Sequence, residues 1–411
     1  MGQRVPGRAT FREVLGVAEF RSMWLAELLS VCGDQLARVA LSVLVYDRTG
    51  SALLTGLTYA LTYAPSLLGG ILFGGLADRF PRRAVLAGVD AGRAVLMAAV
   101  ALPGVPLWLM GLLVAGVSMA NPLAKSAQLA LLPQVLEGDR FLVGMALRNV
   151  TIQSAQLAGF AGGGVLVTAL SPRVSLALDA ATFVCSALLV RFGLADRPAA
   201  SGPTAQSMAG RLRAGARLAF AATQPRMLML FSWLAGLLPV YEALAAPYAA
   251  SLGGDSIAVG LILAADPFGS VVGALLFARL VPERHRAALI GPLTVLSAVP
   301  LLFCLLRPDL AVSIVLFVLT GGLGTAALMQ ATASLALAVP DEARGQVMGL
   351  SNAGMTTVMG LAPLAAGALA TWLGAAHTIG LVGVAGLALA VPLAVAWRRA
   401  RLVTTPVVSS G

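Results

Sequence analysis

Charged residues are scarce in this sequence. Asp, Glu, Lys and Arg make up 11% of 411 residues against 58% apolar, and the mean hydropathy is +0.89, a balance that excludes a soluble globular chain of this length. Histidine is almost missing: the two, His285 and His377, fall in loops expected on opposite sides of a membrane, so neither a histidine-based triad nor a histidine metal cluster can assemble. The three cysteines, Cys32, Cys185 and Cys304, lie inside apolar runs without a pairing pattern and are expected to act as small apolar side chains with no redox or metal role. A Walker-type phosphate loop is absent, which argues against a primary ATP-driven pump. Residues 1 to 20 carry Arg4, Arg8, Arg12, Glu13 and Glu19 and lack a short apolar core before a small-residue cleavage site. No cleaved signal peptide is therefore expected, and the first span serves as the targeting signal. Neither enzyme chemistry nor a cofactor is expected.

What remains is a chain built for lipid. A bilayer core takes roughly 20 apolar residues per helix, and the apolar runs here are unbroken for that length, unlike the roughly ten-residue alternating segments of a β-barrel. Spans are expected near 22 to 46, 52 to 77, 84 to 103, 105 to 127, 143 to 170 and 173 to 194, then near 227 to 250, 256 to 280, 287 to 306, 310 to 336, 346 to 373 and 376 to 398. The predicted fold class is an all-α membrane protein of twelve transmembrane helices in two pseudo-symmetric six-helix bundles. Residues 1 to 194 form the first bundle with its cytoplasmic tail, 195 to 226 a cytoplasmic linker, and 227 to 411 the second bundle with its tail. Within the linker Met208, Leu212, Ala216, Leu218 and Phe220 alternate with arginines, a pattern that predicts an amphipathic helix on the membrane surface.

Arginine placement sets the orientation. With both termini cytoplasmic, the inner loops hold Arg79, Arg82, Arg83, Arg140, Arg191, Arg197, Arg211, Arg213, Arg217, Arg226, Arg279, Arg284, Arg286 and Arg344, while the outer loops hold Arg48, Arg173 and Arg307. That asymmetry is the positive-inside rule. It also explains the net charge of +10 through anionic lipid headgroups, because the basic residues surround every inner loop and do not form one face for nucleic acid.

The halves repeat. An offset of 203 positions aligns Gly70-Ile-Leu-Phe73 with Gly273-Ala-Leu-Leu276, Arg83 with Arg286, Asn149 with Asn352, and Gly164 with Gly367. Repeated halves are the sequence mark of transporters that alternate access around a central site.

The segment Gly74-Gly-Leu-Ala-Asp78-Arg79-Phe-Pro-Arg82-Arg83 resembles the signature loop between helices two and three of the major facilitator superfamily, with Pro81 where the family usually has glycine. Glycines there allow close helix approach, Asp78 caps a helix end or pairs with arginines, and the basic cluster meets headgroups. Phe20-Arg-Ser-Met-Trp24-Leu-Ala, Gly33-Asp34-Gln35, Val45-Tyr46-Asp47-Arg-Thr-Gly50-Ser51, Asp90 to Arg93, Pro133, Asn149, and Asp179 with Phe183 resemble the exporter branch that includes macrolide, siderophore and multidrug efflux proteins. The family's drug and proton antiporters carry a Gly-Pro signature in helix five. Here Gly159-Phe-Ala-Gly162-Gly163-Gly164 has Phe160 in place of the proline, while the other half has Pro363 at the matching position. The resemblance implies the major facilitator fold and secondary transport.

An ionisable group inside a span is a functional hypothesis by default. Glu27, Asp34 and Arg38 share one side of the first span, Glu242 lies in span seven and Asp266 in span eight; these five are the candidates for proton coupling, with a static Asp34–Arg38 lock as the alternative. Gly74, Asp78, Arg79, Arg82, Arg83, Asp90 and Arg93 form the candidate gate, Asp90 pairing with Arg93 and with the Asp78 loop. Asn149, Gln153, Gln156 and Asn352 are candidates for lining a substrate cavity, or for interhelical glue. Lys125 and Arg148 are expected to snorkel to the interface and Asp179 to meet water or cap a neighbour. Trp233 and Tyr241 are placed either against an amphiphilic substrate or as interface anchors.

The leading function is proton-coupled export of amphiphilic small molecules by a monomer of the cell membrane. Its partners would be a small-molecule substrate, protons and anionic lipids, without nucleic acid. Nutrient or metabolite uptake by the same fold is one alternative; a non-transporting membrane sensor or assembly factor is another. An apolar cavity with one or two carboxylates fits export of hydrophobic drugs, whereas several polar side chains and a fixed cation fit uptake of a polar metabolite. Topology is directly testable: reporters fused after Arg401 and inserted near residue 205 should read cytoplasmic and one near Asp309 external, and an opposite reading from any of them overturns the span count.

Overall fold

The computed structural model describes residues 10–73, 80–197 and 208–404. Every regular element in them is helical. Eleven helices are long and apolar enough to cross a membrane, and the broken segment running from Thr223 to Ser251 makes a twelfth if it is one span. The predicted spans fall on these helices, most of which run several residues further than the lipid core requires. The first is Ala18–Thr49, preceded by a short helix, Phe11–Gly16, whose N-cap Thr10 accepts from the Glu13 amide.

Two spans are interrupted where proline removes a backbone donor and crowds the preceding turn. The second span is Ala52–Leu61 followed by Ala64–Phe73, with Pro65 in the first turn of the second piece. The seventh is Thr223–Ala235, then Val240–Ala243, then Ala245–Ser251, with a bend of 48° before the last piece. Gly236 ends its first helix and Pro239 precedes the second. Tyr241 and Glu242 thus sit on a four-residue helix inside the break. Hydropathy alone had predicted one continuous span.

The fold divides into two compact units, one of Met1–Ala40 with Leu68–Ala205 and the other of Leu41–Leu67 with Gln206–Gly411. In the first, helix Arg82–Ala101 packs between helices Leu107–Val135 and Pro172–Gly193. Its core gathers Phe20, Met23, Leu86, Leu131, Leu132 and Leu194. Gly69 lies directly against the Met119 carbonyl, leaving no room for a side chain. In the second unit helix Ser256–Leu280 meets helix Leu310–Ala338 in the same way, with Gly273 against the Gly322 backbone. Met119 and Gly322 are 203 positions apart and Gly69 and Gly273 are 204, so the sequence repeat reappears, within one residue, as one kind of close helix crossing in each unit.

Helix Met208–Ala221 occupies the predicted linker. It packs against helix Asp341–Leu373, with Gly215 on the Gln346 carbonyl and Ala219 buried beside Leu228, Met229 and Trp397. Tertiary packing, more than amphipathicity, holds it. Large apolar side chains such as Trp108, Phe192, Leu337 and Trp372 are exposed, as a surface wetted by lipid requires.

Candidate functional site

Two acidic side chains of span one, Asp34 and Glu27, are each answered by an arginine of another helix. Arg93, on helix Arg82–Ala101, donates through one terminal nitrogen to both oxygens of Asp34, at 2.9 and 3.0 Å. Its other terminal nitrogen reaches Asp90 Oδ1 at 3.5 Å and Ser30 Oγ at 3.2 Å. The guanidinium lies 4.0 Å above the Phe183 ring centroid, a cation–π contact that strengthens away from water. Asp90 also accepts from the Ser186 hydroxyl at 2.5 Å. Arg93 is 3% exposed and Asp34 27%, so the pair is dry on the arginine side and reachable on the other.

The expected Asp90–Arg93 pairing is present, since residues three apart share a helix face. Asp34 pairs with Arg93 of a neighbouring helix, and Arg38 donates to Gln35 at 3.1 Å. An arginine from another helix can approach the carboxylate head-on, whereas one on the same helix must fold back along it. Glu27 accepts from Arg148 at 2.5 Å, and Arg148 also donates to Gln128. Arg148 is therefore a buried partner and does not snorkel.

Asp179 departs from expectation too. It is fully buried, with Oδ1 against Gly33 and near the Thr182 hydroxyl, 3.3 Å away. Any side chain at position 33 would collide with it. Lys125 is exposed, yet it stands ten residues before its helix ends at Val135, about 15 Å along the axis. The charges acting on it are, strongest first, Arg38, Asp34, Glu27 and Arg148, which puts it on the charged side of the unit. Asn149, Gln153 and Gln156 line one face of helix Asp139–Leu170 by their spacing.

In the second unit tyrosines meet the acids. Glu242, buried in the span-seven break, accepts from the Tyr59 hydroxyl. Asp266, just before Pro267 inside helix Ser256–Leu280, accepts from Tyr241 at 2.9 Å. Tyr241 stacks on Phe317 with centroids 4.1 Å apart and is fully buried, so it is not an interface anchor. Trp233 donates to the Ser351 carbonyl at 3.1 Å and helps line an apolar cavity of about 270 Å³. Asn352 is exposed in the same unit.

Of the candidate gate, Gly74, Asp78 and Arg79 lie outside the described residues. Arg82 donates to the Ala130 carbonyl at 2.8 Å and Arg83 to that of Leu194 at 3.1 Å. Among the described residues no group of three or more His, Cys, Asp or Glu side chains could hold a metal ion. Sequence reasoning missed Ser30, Tyr59, Phe183 and Ser186 as partners. The spacing of Asp179, Phe183 and Ser186 at intervals of four and three was the available signal of a shared face.

This geometry makes the first unit's stability asymmetric. Removing Asp34 leaves Arg93 with Asp90 and Phe183, whereas removing Arg93 strands the buried Asp90 carboxylate, a change that typically costs about 3–5 kcal/mol. Arg93→Gln is expected to lower the melting temperature in detergent far more than Asp34→Asn; equal losses would remove Arg93 from the centre of the cluster.

Three comparisons bear on identity. The family described as transmembrane secretion effector matches residues 12–406. The enterobactin exporter EntS of Shigella flexneri is 26% identical over 342 residues, covering 81% of this chain and 80% of that protein. Among solved structures, a bacterial homologue of the human lysosomal transporter Spinster superposes with a TM-score of 0.74 at 14% identity, over 93% of this chain and 97% of that one. The nucleoside transporter NupG gives 0.72 at 15% identity, over 92% and 99%. At such identities the superpositions establish the fold alone, which is that of major facilitator transporters. With its family match running nearly from end to end, the chain belongs to the transmembrane secretion effector family and is a multi-pass membrane transporter of the major facilitator superfamily, not an enzyme.

Proposed function

We propose that the protein exports amphiphilic small molecules, siderophore-like compounds or antibiotics, across the cell membrane in exchange for protons. It works as a monomer with both termini cytoplasmic, its basic loops resting on anionic lipid. The observation that carries the reading is the Asp34–Arg93 pair, whose carboxylate is 27% exposed while its arginine is 3% exposed. A proton arriving from the wet side neutralises Asp34, releases it from Arg93 and leaves the guanidinium with Asp90. Loss of one charge-assisted bond, roughly 1.5–3 kcal/mol, is comparable to the gap between the states of a two-state transporter. Glu27, Arg38, Glu242 and Asp266 are further coupling positions on this reading. The exporter EntS supports the outward direction and the substrate class.

One observation favours a second reading, uptake of an acidic metabolite. Lys125 is the single lysine of the sequence, and it stands exposed on the charged side of the first unit beside a helix bearing Asn149, Gln153 and Gln156. A fixed ammonium beside several polar side chains suits a polar substrate with an acidic oxygen, the pattern expected for metabolite uptake.

Cells with and without the gene separate the two. Export predicts that deletion raises intracellular accumulation of amphiphilic antibiotics or lowers siderophore release, and that a protonophore mimics the deletion; greater accumulation in gene-bearing cells would establish uptake instead. Lys125→Gln is expected to weaken transport of acidic substrates about tenfold or more while sparing neutral ones, and equal effects on both classes would remove Lys125 from the substrate path.

A further inference from the structure

Two buried polar atoms of the first unit lack partners among the described residues, and they are complementary: Nε of Arg93, a donor, and Oδ2 of Asp179, an acceptor. Both belong to one cluster. The Arg93 guanidinium lies on Phe183, one helical turn beyond Asp179, and Asp179 Oδ1 lies against Gly33, next to Asp34. Asp34 and Asp90 therefore share one guanidinium, and Asp179 stands in the same cluster without a bond to it.

Among the described residues the cation that acts on Asp179 is Arg93. From span one comes Asp34 and from helix Arg82–Ala101 comes Arg93; these are the charges that act on it. Asp90, on that same helix, is turned to Ser186 and Arg93. From helix Asp139–Leu170 the charged side chain within the span is Arg148, which is engaged by Glu27. On its own helix Asp179 has the Thr182 hydroxyl. A dry carboxylate with one oxygen unpartnered is costly, and such a site is satisfied either by a proton or by a cation that moves in. Arg93 is the cation that acts on Asp179, and its Nε–H is buried without a partner among the described residues.

We propose that Asp179 is a proton-binding site and that Arg93 exchanges between Asp34 and Asp179. This rests on the proton-coupled reading above and deepens it. With Arg93 on Asp34, as observed, Asp179 holds a proton as the neutral acid. When a proton adds to the Asp34 carboxylate, the Arg93–Asp34 bonds break, an Arg93 Nε–H bond to Asp179 Oδ2 forms, and the Asp179 O–H proton leaves. One proton enters at the wet carboxylate and one departs from the dry one, so the charge of the cluster is unchanged. Gly33 is part of the site, since only glycine leaves space for the Asp179 carboxyl.

Infrared spectroscopy of the purified, substrate-free protein at neutral pH tests this with protons alone as the ligand. The wild type should show the C=O band of a buried carboxylic acid, which Asp179→Asn removes while the melting temperature stays near that of the wild type. Asp90→Asn should keep the band. Asp34→Asn should lose it, because Arg93 then turns to Asp179; Asp34→Ser serves if the amide does not fold. Absence of the band in the wild type, or its persistence in the Asp34 variant, overturns the proposal. Since no substrate is present, these outcomes are independent of whether export is proton-driven: a band that behaves as described in a protein indifferent to a proton gradient would sink the antiport reading and leave the Asp179 site standing.

Discussion

Lipid offers no counter-charge, so each ionised side chain within the spans has to be answered by the protein. In the first unit that requirement converges on Arg93, which binds Asp34, Asp90 and Ser30 and rests on Phe183. Its position fixes how three helices meet: its own, span one through Asp34, and helix Pro172–Gly193 through Phe183 and, by way of Asp90, Ser186. The close approach of Gly33 to Asp179 and Thr182 belongs to the same arrangement. Electrostatics and packing are one constraint here, because the ion pairs form only where small residues let the helices come together.

The second unit meets the same requirement with different chemistry. Glu242 and Asp266 each accept from a tyrosine hydroxyl, and Tyr241 is held by stacking on Phe317. The break of span seven is what brings Tyr241 and Glu242 into such places, as interrupted helices do at transporter sites. The repeat of the fold is thus clear in its helix crossings, Gly69 with Met119 and Gly273 with Gly322, and not in its ionisable groups.

The spans were legible because hydropathy depends on nearly every residue in a run, so single exceptions do not hide it. The Asp90–Arg93 pair was legible because it is local. What was not legible is long-range: nothing in the spacing of Asp34 and Arg38 signals that Arg93, 59 residues away, wins the carboxylate. Surroundings were misread in the same way for Asp179 and Arg148, because counting from a presumed span end ignores which face each neighbour covers. Span seven looked continuous because Gly236 and Pro239 are apolar by composition while acting on the backbone.

Proton coupling through the Asp34–Arg93 cluster can be judged in liposomes. Purified protein, reconstituted with a substrate identified from intact cells, would be given a pH gradient and a membrane potential separately, with an internal pH dye recording proton movement. Coupling predicts that a pH gradient alone drives substrate uphill, with protons moving the opposite way, and that Asp34→Asn abolishes both while substrate binding persists. Substrate accumulation unchanged when the pH gradient is collapsed, or an Asp34→Asn protein that still moves protons with substrate, would contradict it.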